Sequence, residues 1–294
     1  MSATAATQPK DPAARLRQLV LQTIEKSPPP AVFTKIVEVA NDPRASVADL
    51  KRVVQYDPVL TSRVIRTINS AYYGLSKPTS DLQYAIALLG FTTIRNLALT
   101  ALVGNMFKRE STIDVYSSLG LWQHIISVAL TSRLIVRRTM DSVLAEDAYL
   151  GGLLHDVGIL LFDQHDRRIF RQIVARIRPD RELHLCEREV VGFDHAEFGA
   201  AVAAEWRFPG RLVECFRWHH AAHRSSQEAR PIVSAVELAN FLCNHKGINS
   251  VDVKYALRLR SALLADLGLT PQDLRGVWQE MHKELAAARD LFDL

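Results

Sequence analysis

Gly151-Gly152-Leu153-Leu154-His155-Asp156-Val157-Gly158-Ile159 is the stretch on which the reading of this chain turns. Apolar residues lead into an adjacent His-Asp pair, and the apolar spacing extends on both sides, which predicts one helix over 143–161. Gly151 and Gly152 stand four and three residues before His155, on the same helical face. They clear that face so that a neighbouring helix or a ligand can come close. Adjacent helical positions differ by about 100°, so a metal at the helix flank can reach both an imidazole nitrogen and a carboxylate oxygen. Taken alone, a His-Asp pair is common and reads first as a surface or capping pair.

Working outward, helical periodicity dominates. Leu16, Leu19, Val20 and Ile24 form a stripe over 12–26, closed by Pro28-Pro29-Pro30; Val32, Ile36, Val39 and Ala40 form the next. Ser46 and Asp49 have the form of a capping box for a short helix to about Gln55, and Asp57-Pro58 starts another. Asn69 to Pro78 reads as a loop, Asp81 as an N-cap and Gly90 as a stop, with an apolar helix following to Phe107. Further helices are predicted near 119–139, 166–177, 182–191, 194–206, 210–219, 231–245, 251–265 and 271–290, with Asp194 and Thr270 as N-caps and Gly268 as a breaker. No sustained alternating, β-branched run is bounded by turns. The fold class is therefore all-α. The polar stretch Lys108 to Ser118 is the candidate boundary between subdomains.

Composition bounds the rest. The chain has 294 residues, 48% hydrophobic and 23% charged, with a net charge of +4, which fits an ordinary globular protein and excludes wholesale disorder. Three cysteines without a Cys-x-x-Cys support neither a disulfide framework nor a cysteine-rich zinc site, and read as buried free thiols. No apolar run reaches the ~18 residues of a membrane helix, and the first residues lack a signal-peptide core. The expectation is a cytoplasmic protein without a membrane partner. The C-terminal arginines Arg258, Arg260, Arg275 and Arg289 are interleaved with acids, which argues for solvated faces and against nucleic acid. P-loop, dinucleotide-binding and nucleophile-elbow motifs are absent.

The ten histidines all lie beyond residue 123. His124 falls on the helix before His155-Asp156, His195 follows Asp194 at a helix start, and His219-His220 ends a helix after Trp218. Nitrogen and carboxylate ligands drawn from several helices suit Fe, Mn or Zn. Each residue also has a plainer reading: His124 as a core histidine bonded to a carbonyl, His195 as part of a helix start, His219-His220 as a helix end favoured by the negative dipole terminus.

In this order, His124, His155-Asp156, His195 and His219-His220 resemble the ligand succession of the HD superfamily of metal-dependent phosphohydrolases, to which the HD-GYP domains belong. The closer resemblance is to HDOD, the HD-related output domain of bacterial signalling. It is carried by Pro28-Pro29-Pro30, Asp57-Pro58 with Leu60, Ile68-Asn69-Ser70-Ala71-Tyr72-Tyr73-Gly74, Ala85 to Gly90, Gly152 to Gly158, His195 to Gly199 and Trp206-Arg207-Phe208-Pro209, over about residues 26–222. The resemblance implies a helical N-terminal subdomain packed on an HD-like helical bundle. The expected organisation is a tail and first helix over 1–25, the N-terminal subdomain over 26–112, and the HD-like part with a C-terminal helical extension over 113–294. It also implies His124, His155, Asp156, His195, His219 and His220 as the metal set.

The chain departs from the active pattern at three positions. Ile159 stands where HD-x-G-K places the lysine that offsets phosphate charge. Asn240 stands at the best candidate position for the late aspartate, and Ala221 follows His219-His220 where HD-GYP has glutamate. Glu237 is one turn from Asn240 but in an unsuited register. These departures favour a non-catalytic signalling module that binds a protein partner or a small nucleotide regulator, its input arriving from another molecule. The retained histidines keep open a metal-dependent phosphohydrolase or cyclic-dinucleotide phosphodiesterase. No catalytic residue and no organic cofactor site is singled out, and the sequence leaves oligomeric state open.

Overall fold

The computed structural model describes residues 11–28, 31–42, 44–69, 74–107, 110–140, 142–256 and 258–288. Pro29, Pro30 and Ser70 to Tyr73, which carried part of the family resemblance, and the first ten residues lie outside them. The helices are α1 (Pro12–Lys26), α2 (Ala31–Asn41), α3 (Val47–Gln55), α4 (Pro58–Ile68), α5 (Leu82–Leu89), α6 (Phe91–Met106), α7 (Ser118–Thr139), α8 (Ser142–Leu154), α9 (Val157–His165), α10 (Arg167–Val174), α11 (Leu183–Val191), α12 (His195–Glu205), α13 (Gly210–Trp218), α14 (Arg230–His245), α15 (Ser261–Asp266) and α16 (Pro271–Ala287). The only sheet among the described residues is a hairpin of two-residue strands, β1 (Thr112–Ile113) and β2 (Tyr116–Ser117). The protein is all-α, and the hairpin occupies the polar stretch read as a boundary.

Local chemistry sets the helix ends. Asp11 caps α1 by accepting from the Ala13 and Ala14 amides. Ser46 and Asp49 form the expected capping box on α3, and Thr270 with Asp273 forms another on α16. Asp81 caps α5, Asp194 caps α12, and Gly90 turns the chain between α5 and α6 at φ 82°. Each cap satisfies amides that would otherwise lack a partner.

Helix α7 is the central strut. Its buried residues run almost without a break from Leu121 to Val136, and α8, α14 and α16 pack around it. Among the described residues it is the one unbroken helix long and apolar enough to cross a membrane, and 83% of its apolar window is buried inside the fold. Helices α2 to α5 pack among themselves and on α6. Helix α6 reaches α8 through Asn96, whose amide donates to the Glu146 carboxylate at 2.8 Å, and through Arg95 paired with Asp147. Helix α1 lies instead against α9 and α12. Cys186, Cys215 and Cys243 are buried free thiols, as expected.

Two expectations need correction. The single helix predicted over 143–161 is broken at His155-Asp156 into α8 and α9. Tight packing accompanies the break: Gly158 lies against the His195 carbonyl so closely that a Cβ there would come within 2.1 Å of the oxygen. Beyond the break, α9 packs along α12. The helix predicted over 251–265 is reduced to α15, preceded by an extended strap. Two of the strap's amides bond to other segments: Asp252 donates to the Val115 carbonyl at 2.7 Å and Ala256 to the Pro179 carbonyl at 2.9 Å. Those partners take the place of helical ones.

Candidate functional site

The break between α8 and α9 places Asp156 at the centre of the molecule's histidines. His124 comes from α7, His195 is the first residue of α12, and His219 and His220 follow the end of α13. The two glycines read as a cleared face admit helices, not a ligand. A Cβ on Gly152 would fall 2.7 Å from the Ala129 Cα on α7, and one on Gly151 would fall 2.8 Å from the Cys215 sulfur on α13. This close packing brings His155 up to His124 and His219.

All six predicted residues converge. Asp156 Oδ2 lies 3.4 Å from His124 Nε2 and 3.3 Å from His155 Nε2; Oδ1 lies 3.2 Å from His195 Nε2 and 3.3 Å from His219 Nε2. His195 Nε2 is also 3.2 Å from His219 Nε2 and 3.1 Å from His220 Nε2. His220 is half-buried and the other five are buried.

The outer ring nitrogens explain this convergence. His124 Nδ1 donates to the Ile248 carbonyl at 2.7 Å, His155 Nδ1 to the Gly152 carbonyl at 2.8 Å, and His219 Nδ1 to the Phe216 carbonyl at 2.7 Å. Carbonyls only accept, so these partners fix the proton on Nδ1 and leave Nε2 as a lone pair facing the carboxylate. His195 Nδ1 is bonded at 2.7 Å to Glu187, a buried carboxylate that also accepts the His195 backbone amide. His155 Nε2, Asp156 Oδ1 and Glu187 Oε1 are buried without hydrogen-bond partners. Lone pairs so close to one another and to a carboxylate need a cation among them.

Electrostatics shows what a proton alone would do. Burial pushes His155 down to about 4, with Asp156 opposing, and drives His220 well below its ordinary value with help from His219 and His184. Burial also opposes charge on His195, but Glu187 and Asp156 outweigh it and hold that ring well above the usual value. Burial likewise acts to raise Asp156, and the facing histidines, His155 first, hold it far below the carboxylate range. With no metal, His195 is thus an imidazolium clamped between Glu187 and Asp156.

The donor set fits a metal as well. Asp156 with His195, His219 and His220 forms one group, and Asp156 with His124 and His155 another, the donor atoms of each lying within 4.8 Å of one another. Metal–ligand bonds of about 2.0–2.1 Å at tetrahedral angles separate ligand atoms by about 3.3 Å. The separations of 3.1 to 3.3 Å among Asp156, His195, His219 and His220 match that spacing. The Glu187–His195 bond is the outer carboxylate that commonly orients a ligating imidazole.

Sequence reading missed several participants. His184 stacks on His220 at 4.2 Å, and burial pushes it down to about 4. Glu187 lies eight residues before His195, with no local motif to tie the two. The positions flagged as departures do border the site: Ile159 is buried in its wall and Asn240 lines it with Asp156. The Asn240 amide oxygen accepts from Asn244 at 2.5 Å. Glu237 lines the adjoining cleft and is already committed, bonded to Arg260 at 2.6 and 2.9 Å and to the Ala222 amide at 2.7 Å. Beyond His219 and His220 the site opens into a cleft of about 230 Å³.

A helical body with a buried His/Asp cluster gathered from four segments defines an HD-type architecture. The HDOD domain model matches residues 27–222, and the chain belongs to that family. An uncharacterized protein of Treponema pallidum (strain Nichols) is 25% identical over 213 residues, covering 72% of this chain and 40% of that protein, so the chain spans well under half of that relative's length. Among solved structures, an HDOD domain protein of unknown function from Geobacter sulfurreducens is 24% identical with a TM-score of 0.78, covering 97% of this chain and all (100%) of that one. A protein of Shewanella amazonensis SB2B, provisionally described as a phosphohydrolase, is 22% identical with a TM-score of 0.70, covering 93% of this chain and 98% of that one. At these identities the two structures establish likeness of fold.

Proposed function

We propose that the protein is a bacterial signal-transduction output module that binds one divalent transition metal and acts by engaging a signalling protein or small nucleotide, without turning it over. The observation that carries this reading is the convergence of five histidines on Asp156 beside two bordering positions, Ile159 and Asn240, that carry no charge. The Ile159 side chain is buried where a hydrolase would present a cation, and Asn240 offers a neutral amide. Asp156 is the one carboxylate in either donor group, and a single carboxylate offsets one dication poorly and two worse. Asp156, His195, His219 and His220 would hold the ion, which when bound supplies a Lewis-acidic centre. Glu187 orients His195, and the α7 and α8 packing excludes water from the inner side.

The experiment is to purify the protein without chelator, determine its metal content, and then assay cyclic dinucleotides and generic phosphodiesters with added Mn²⁺. The expected result is bound metal and no turnover above the metal-only blank. Turnover abolished by Asp156→Ala would replace this reading with a second one, a metal-dependent phosphohydrolase, which the convergence of five histidines on one carboxylate favours.

A further inference from the structure

The strap that replaces the predicted helix over 251–260 does more than close the fold. It contributes Arg258 and Arg260 to the lining of the 230 Å³ cleft, which His219, His220 and Asn240 also line. The two arginines differ in state. Arg260 is committed: it makes two bonds to Glu237, at 2.9 and 2.6 Å, and one to His223 at 2.7 Å. That anchorage pins the strap to α14. Arg258 is exposed and has no hydrogen-bond or ion-pair partner among the described residues. A guanidinium is always charged and offers a planar fork of donors matched to phosphate oxygens. Its fixed neighbour Arg260 sets where that fork can reach. The acidic residues on the same cleft are Glu182, which burial raises above its ordinary value, and Glu237, already neutralised by Arg260.

We infer that the cleft takes the phosphoryl group of a small phosphoester or of free phosphate, with Arg258 supplying the cationic contact that Ile159 cannot. The strap lies outside the matched family segment of 27–222, so this cation belongs to the C-terminal part of the chain. The inference rests on the reading of the His/Asp cluster as the floor of a ligand site, and it names the chemistry of that ligand.

The test is titration of inorganic phosphate into the full chain by calorimetry, for wild type, Arg258→Glu and Arg258→Lys, with metal content measured on each sample. Arg258 is exposed, so neither change disturbs the core. The expected result is phosphate binding by wild type, weakened at least about tenfold by Arg258→Glu and by a smaller factor in Arg258→Lys, which keeps the charge but loses the fork, at unchanged metal content. Equal phosphate affinity in Arg258→Glu, or no phosphate binding by a metal-loaded wild type, would overturn the inference. Arg258-dependent phosphate binding by a protein that holds no metal would sustain it while removing the metal reading.

Discussion

Asp156 Oδ1 stands 3.2 Å from His195 Nε2, and the far nitrogen of that ring is bonded at 2.7 Å to Glu187. A buried imidazole is thus strung between two buried carboxylates. Asp156→Asn keeps the shape and removes one of the charges. In chelator-treated protein this substitution should lower the unfolding free energy by about 3 kcal/mol, the usual cost of stranding one partner of a buried ion pair. Urea denaturation measures it, and an unchanged midpoint would mean that the pair carries no charge in the folded state.

Glu187 touches no position a metal would occupy, yet it fixes the proton and orientation of His195. Glu187→Gln should weaken metal affinity by about 10- to 100-fold with the helical content intact. Competition with a chromophoric chelator reads this directly. Equal affinity in the variant would show that the bond to His195 is structural only.

Gly158 allows α9 to pass along α12, and an added Cβ would collide with the His195 carbonyl at 2.1 Å. Backbone cannot yield as a flexible side chain does. Gly158→Ala should cost about 2–3 kcal/mol of stability and should also weaken metal binding, because it displaces His195. A variant as stable as wild type would contradict the account of the α8–α9 break.

Stability of the chelator-treated protein should peak near the ordinary histidine value. The folded protein holds His155 and His184 down at about 4, mainly by burial. As pH falls from about 6.5 toward 4, the unfolded chain takes up protons that these folded rings refuse, so stability drops. His195 works in the opposite direction, because its folded value is raised by Glu187 and Asp156 against the effect of burial. Its contribution is fully present below about 6.5 and is lost as pH rises through the folded value. Thermal melts from pH 4.5 to 9 should therefore show a maximum, and a steady rise across that range would contradict the imidazolium clamp.

Much of this was written locally in the sequence. The caps at Ser46, Asp81, Asp194 and Thr270, and the helices they open, follow from short-range chemistry, and the structure has them. The succession His124, His155-Asp156, His195, His219-His220 carried the family and named residues that the fold gathers around one carboxylate. The break at His155-Asp156 was hidden because Val157, Leu160 and Leu161 continue the apolar period, and the helix start packed against Gly158 lies more than thirty positions away. The strap had a usable signal. Val251, Val253 and Tyr255 are the more buried positions, alternating with exposed Asp252, Lys254 and Ala256, which is the period of an extended chain. Glu187 and His184 had none, since only tertiary packing sets them beside His195 and His220.

The most direct test of the central claim is the metal content, by elemental mass spectrometry, of protein purified without chelator and of its Asp156→Ala variant. The account predicts close to one equivalent of Fe, Mn or Zn per chain in the wild type, and below about a tenth of that in the variant, whose four-ligand group has lost its only carboxylate. Wild-type protein free of metal, or a variant that retains it fully, would contradict the assignment of this cluster as a metal centre.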